Sequence, residues 1–177
     1  MNRKGPEFVR AELASHLIRL WRYGLVLTGK RDAAEDLAQA TCLRALERAH
    51  QFQPGTQLDH WLFAILRSIW LNEIRARRVR ESHRSPEDAS DMAVGERIDI
   101  ETNVLARQVL RKIEGLPLPQ RETILLVCAE GFTYREAAQL LDVPIGTIMS
   151  RLATARAALV HLSTEEPANL SPEANER

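Results

Sequence analysis

The stretch from Thr133 to His161 leaves this chain little freedom of fold. Thr133-Tyr134-Arg135-Glu136 is a capping box of the Thr-x-x-Glu kind, which starts a helix by satisfying two backbone N–H groups reciprocally. Ala137, Ala138, Leu140 and Leu141 form the packing side of that helix, and Asp142-Val143-Pro144 ends it within a turn of three to four residues. Ile145-Gly146-Thr147 then opens a second helix that the spacing carries to about His161. On it Ile148, Leu152, Ala155 and Leu159 fall on one stripe, Thr147, Ser150 and Thr154 lie opposite, and Arg151 and Arg156 flank them. A short helix, a tight turn and a longer helix with a polar outer face is helix-turn-helix geometry. In such a motif the second helix enters the major groove, and free N–H groups at Gly146 and Thr147 would favour a phosphate. An antiparallel helical pair without a nucleic-acid role is the bland alternative, and the combined spacing weighs against it.

The remaining pattern is helical too. From Phe8 to Leu27 apolar residues recur as Val9, Leu13, Leu17, Leu20 and Trp21, and Thr28-Gly29-Lys30-Arg31 breaks the run. Asp32, with Glu35 three residues on, reads as the cap of a second helix whose inner side is Ala34, Leu37, Ala38, Thr41, Leu43 and Leu46, ending near Ala49. A Pro54-Gly55 turn precedes a third helix, about Leu58 to Arg78. It starts apolar (Trp61, Leu62, Ile65, Leu66, Ile69, Trp70) and ends in Arg75, Arg77, Arg78 and Arg80. Trp61 reads as core, and Trp70 as a core or interface side chain. Residues 80–100 are polar, aperiodic and acidic in excess, a linker composition. Helical spacing resumes at Glu101 with Val104, Leu105, Val109, Leu110 and Ile113, and Arg121 to Ala129 is a buried helix ended by Gly131. The tail after Glu165 is acidic and reads as disordered. The expected fold is all-α: two small helical domains on a flexible linker, the C-terminal one a helix-turn-helix.

Charge and chemistry narrow the function. Lys plus Arg and Asp plus Glu total 24 each, so the formal net charge is zero, which counts mildly against a free-standing DNA binder. Yet six arginines and one histidine stand against two glutamates between Arg67 and Arg84, the one strongly basic patch and one suited to phosphate. Helix-end electrostatics alone would also favour such a run, above all for Arg80 and Arg84. The two cysteines, Cys42 and Cys128, read as reduced core thiols, and no Cys/His cluster has metal-ligand spacing. No cofactor motif, nucleophile signature or paired-carboxylate site is present, so an enzyme is not expected. The chain has no apolar signal core and no stretch near the roughly 20 apolar residues of a membrane span, so a cytoplasmic protein is expected.

The segment GFTYREAAQLLDVPIGTIMSRLATARAAL resembles the fourth conserved region of extracytoplasmic-function (ECF) sigma factors of bacterial RNA polymerase, which binds the promoter −35 element. That resemblance implies −35 contacts from Thr147, Ser150, Arg151, Thr154 and Arg156. Family members commonly carry Lys or Arg where this sequence has Met149, and often another basic residue near Thr154. Their loss points to an altered −35 sequence. RDAAEDLAQAT, residues 31–41, resembles the second region, whose acidic helix docks on the polymerase clamp, and implies polymerase contacts from Asp36, Gln39 and Arg44. Ala40 stands where relatives often have an acidic residue. WLFAILRSIWLNEIR resembles the stretch that recognises and opens the −10 element, implying Arg67, Asn72, Arg75 and Arg78 on DNA, with Phe52 and Gln53 of the preceding loop at a flipped base. HQFQPGTQLDHWLFAILR and LLVCAEGFTYREAAQLL look closest to the alphaproteobacterial general-stress subgroup.

The domains implied are residues 1–80 (clamp binding and −10 melting), 81–100 (linker), 101–163 (−35 reading) and 164–177 (tail). The implied partners are core RNA polymerase through its beta-prime clamp and beta flap, promoter DNA, and an anti-sigma factor. A dimeric helix-turn-helix regulator of operator DNA is the competing function, and it leaves the first 80 residues unexplained.

Overall fold

The structure is a computed structural model that describes residues 4–82 and 113–164. Helix α1 spans Lys4–Thr28, α2 Arg31–Glu47 and α3 Leu58–Ser82, with a 3-10 turn at Ala49–Gln51 after α2. In the C-terminal unit α4 is Leu118–Ile124 and runs on as a π turn, Leu125–Ala129. Helix α5 is Tyr134–Leu141 and α6 Ile145–Thr164. No strand occurs among the described residues, and the fold is all-α.

The α1–α2 hairpin depends on two glycines. Gly29, at φ +69°, makes the turn in a conformation that a side chain disfavours. Gly24 lies where the two helices touch: a Cβ there would sit 3.0 Å from the Ala34 carbonyl oxygen and 3.2 Å from Ala34 Cα. The start of α2 differs from expectation. The N-cap is Lys30 with no side-chain cap bond, so Asp32 falls inside the first turn, where its charge complements the helix dipole. Thr28 takes over part of the capping, its Oγ1 accepting from the Lys30 N–H at 3.3 Å.

Apolar residues are sorted more sharply than periodicity alone suggested. Val9, Leu13, Leu20, Tyr23 and Leu27 of α1 are buried with Leu37, Ala38 and Ala45 of α2 and Leu62, Phe63 and Leu66 of α3, whereas Leu17, Leu43 and Leu46 face solvent. Trp61 and Trp70 are half-buried against this core. The same buried cluster continues without a break through Leu126, Phe132, Ala137, Leu141, Ile148 and Leu152, so the two units share one core. Cys42 is half-buried, but Cys128 is exposed, because the π turn rotates it off the buried side. Residues 81 and 82, expected to open the linker, still belong to α3. The rest of the linker, the helix expected from Glu101 and the tail lie outside the described residues, save Ile113 and Glu114, which are helical.

Candidate polymerase and promoter interfaces

The C-terminal motif forms as the sequence dictates. The Thr133 N–H donates to Glu136 Oε2 at 2.7 Å and the Glu136 N–H to Thr133 Oγ1 at 3.3 Å, closing both halves of the capping box. The Thr133 hydroxyl and then its backbone N–H, each donating to Glu136 Oε2 at 2.7 Å, lower the pKa of the Glu136 carboxyl. Removing the box by Thr133→Ala is expected to cost about 1 kcal/mol, read as a lower midpoint in urea unfolding. At the other end of α5, Asp142 takes a left-handed conformation (φ 54°), tolerable for Asp, and turns the chain into α6.

On α6, Ile148, Leu152 and Ala155 are buried, as their spacing required. Ser150, Thr154 and Arg156 are exposed, whereas Thr147 and Arg151 are half-buried. The Thr147 N–H is not free for a phosphate, since it donates to the Pro144 carbonyl at 2.9 Å. Ser150 donates to the Thr147 carbonyl at 3.0 Å, and Ile145 and Met149 stand exposed beside it.

The exposed stripe of α2 carries Asp36 and Gln39, with Arg44 at its edge pairing with Glu47 at 3.5 Å. Leu43, which belonged to the inner side on periodicity, sits in the middle of this stripe at 62% exposure, one turn from Gln39 and two from Asp36. A largely exposed leucine between Gln39 and Arg44 is the signal that sequence reasoning passed over.

The −10 candidates divide. Asn72, Arg75 and Arg78 are exposed, and Arg75 Nη1 donates to Asn72 Oδ1 at 3.2 Å, so these two act as one group. Gln53 is exposed in the loop. Phe52 is only 4% exposed: its ring is stacked under Phe8, with centroids 5.8 Å apart, and tilted against Trp61 at 5.4 Å. Phe52 thus has no free face for a base in this arrangement. Arg67 stands apart from Asn72 and Arg75, turned toward the C-terminal unit. Its Nη2 donates to the Leu141 carbonyl at 3.2 Å and its Nε meets Glu122 Oε1 at 3.6 Å.

Glu122 and Glu130 were not singled out in the sequence, yet both are buried acids at the junction of the two units. Tyr23 Oη donates to Glu122 Oε1 at 2.9 Å. Burial pushes the Glu122 carboxyl up, against the Tyr23 hydrogen bond and the charges of Arg67 and Arg151. A raised value means that packing favours the protonated acid. The contribution of Glu122 to the packed state is therefore fully present below the ordinary carboxylate value and is lost as pH rises through the raised one. The Tyr23 hydroxyl, desolvated and next to Glu122, is pushed well up and stays a donor. Glu130 is gripped by Arg19 through its carboxylate and its carbonyl, and by Arg22 at 3.4 Å; Arg19 also reaches Asp59 at 3.1 Å.

Comparison with known proteins decides what this arrangement serves. Residues 13–80 match the family model for sigma-70 region 2, and residues 106–159 match that for sigma-70 region 4. The ECF RNA polymerase sigma factor EcfG of Rhodopseudomonas palustris is 36% identical over 155 residues, covering 85% of this chain and 82% of the relative. The chain belongs to the ECF RNA polymerase sigma factors. SigC of Mycobacterium tuberculosis, another member, is 34% identical over 86% of this sigma factor and 80% of its own length. Among solved structures, Bartonella quintana RpoE in complex with the anti-sigma factor NepR superposes with a TM-score of 0.72 at 30% identity, over 91% of this chain and 99% of that one. The PhyRSL–NepR complex from Sphingomonas sp. Fr1 shares the fold, with a TM-score of 0.62 at 21% identity over 95% of this chain and 98% of that one. As a sigma factor the chain binds core RNA polymerase and directs promoter-specific initiation through −10 and −35 elements. Its family is one of transcription initiation factors rather than catalytic enzymes.

Proposed function

We propose that this sigma factor divides the promoter between its two units. Residues 1–80 dock on the polymerase clamp through Asp36, Gln39 and Arg44 of α2 and open the −10 element with Gln53, Arg67, Asn72, Arg75 and Arg78. Phe52 serves there by holding the loop rather than by stacking on a base. Residues 101–163 read the −35 element through Ser150, Arg151, Thr154 and Arg156, with Thr147 shaping the helix start and the polymerase flap as neighbour. The observation that carries this reading is the solvent-facing Arg75–Asn72 pair with Arg78 on the part of α3, up to residue 80, that region 2 matches. Binding energy to captured bases is the only source for melting that these residues supply.

An anti-sigma factor holds the chain inactive; the solved RpoE–NepR complex, matched over 91% of this chain, supports this. The chain acts in the cytoplasm and has no catalytic activity of its own. Among the described residues no helix is long and apolar enough to cross a membrane. A regulator acting through the helix-turn-helix alone would leave the region 2 match at residues 13–80 without a role. Run-off transcription with core polymerase tests the whole reading: transcripts that require this chain are expected, and their absence would refute it.

The exposed first turns of α6 also imply how bases are read. Met149 is 50% exposed beside Ile145, so an apolar surface faces the groove, where the thymine methyl is the apolar feature that bases display. In a −35 element selected with the holoenzyme, replacing a contacted thymidine by deoxyuridine is expected to weaken binding roughly fourfold, the worth of one buried methyl at about 0.8 kcal/mol. In Met149→Ala the same replacement is expected to change little, as measured by filter binding.

A further inference from the structure

We propose that Phe8, near the start of α1, is the platform on which an unpaired base of the −10 strand stacks. The inference rests on the assignment above of the loop after α2 to that element. Phe52, the aromatic residue of this loop, is buried and has no free face. Its cover is Phe8, whose ring lies within 14° of parallel to it, with centroids 5.8 Å apart. Phe8 is nonetheless 47% exposed, so the side of its ring turned away from Phe52 meets solvent. Trp61 of α3, tilted against Phe52 at 5.4 Å, backs the pair. A flat ring held from behind loses little freedom when a base lands on it, and every base offers it a π-face.

A close backbone approach puts this ring beside the loop. Gly5 lies one turn before Phe8, and a Cβ there would sit 3.2 Å from the Phe52 carbonyl oxygen and 3.6 Å from that of Ala49. A side chain would crowd both carbonyls, and glycine lets α1 start this near the loop. The loop is shaped in advance: the Gln53 carbonyl accepts from the Thr56 N–H at 3.1 Å and from the Thr56 hydroxyl at 2.7 Å. Gln53 follows Phe52 directly and is exposed, so a hydrogen-bonding side chain stands next to the stacking face. Arg48 and His50, exposed on either side of Ala49, supply groups suited to the phosphate of the same nucleotide. Stacking on Phe8 gives affinity for any base, and the Gln53 amide then tells bases apart by their edges. Phe8 precedes residue 13, where the match to sigma-70 region 2 begins, so that assignment does not reach it.

The test uses holoenzyme, formed from the full chain and core polymerase, and the single-stranded −10 region of a promoter selected with it. The strand is labelled for anisotropy and carries an abasic site at each position in turn. Phe8→Leu, which keeps Phe52 covered but removes the flat face, is expected to bind the intact strand about tenfold more weakly. At one position the abasic strand is expected to bind wild type equally weakly, and there Phe8→Leu should cause no further loss. Phe8→Tyr is expected to stay within about twofold of wild type, and both variants should keep the wild-type melting midpoint and core affinity. Wild-type binding by Phe8→Leu, or a loss that persists with every abasic strand, overturns the platform. A loss of core affinity makes Phe8 a polymerase contact and overturns it as well. If circular dichroism shows Phe8→Leu unfolded, Phe8→Trp decides. Its wider ring should tighten the intact strand about threefold and leave the abasic one unchanged, and any other pattern overturns the proposal. Gln53→Ala and Arg75→Ala separate the two readings: if both bind the intact strand as wild type does, the −10 assignment fails, whereas normal binding by Phe8→Leu alone sinks only the stacking.

Discussion

Replacing Phe63 with alanine is expected to cost about 3–5 kcal/mol, the range for emptying a buried aromatic site. The ring is fully buried, stacks on Tyr23 at 5.0 Å and leans on Phe132 at 5.4 Å, and the Arg19 guanidinium lies 5.7 Å above it. No neighbour can collapse into the space without giving up one of those contacts. Against a domain stability of about 5–15 kcal/mol this is a large fraction, and the melting midpoint should fall by roughly 10 °C. Because Tyr23 and Phe132 belong to different units, the units should also melt less cooperatively, seen as a broader transition by circular dichroism. A fall of only a degree or two would mean that the shared core is not where the stability lies.

The second large effect is on assembly rather than stability. Leu43→Asp is expected to weaken holoenzyme formation at least thirtyfold, the loss of a central contact worth about 2 kcal/mol, while leaving the melting midpoint unchanged. Leu43 contributes nothing to the core, so a folding defect would contradict its exposure. It continues the line of Asp36 and Gln39 by one turn toward Arg44, so in the proposed docking its side chain would be desolvated between polar contacts. Titration of labelled core polymerase measures it, and an affinity within threefold of wild type would remove α2 as the docking face.

What the sequence showed in advance was what is local. The capping box at Thr133–Glu136, the turn at Gly29 and the buried stripe Ile148–Leu152–Ala155 depend on neighbours within a few residues, and all three formed. Leu43 and Leu46 were misplaced because helical spacing marks two or three candidate faces and cannot tell a core from a docking surface. Capping by Lys30 in place of Asp32 turned on Thr28, a contact from the preceding helix. The junction was invisible for a stronger reason. Glu122, Glu130 and Arg19 carry no local signal and Arg67 read as a DNA contact; only a fold that joins residues 99 and 111 positions apart buries the two acids. The burial of Phe52 was hidden the same way, since Phe8, which covers it, lies 44 positions upstream.

The π turn at Leu125–Ala129 has a consequence for timing along the helix. In an uninterrupted α-helix, Glu122 and Glu130 would point about 80° apart, since eight residues make somewhat more than two turns. A π turn absorbs one additional residue, and the two acids come nearly into phase, so both can enter the α1–α3 surface at once. The bulge thus works as a vernier: one residue more or fewer between 125 and 129 would leave each carboxylate intact and yet mesh only one of them.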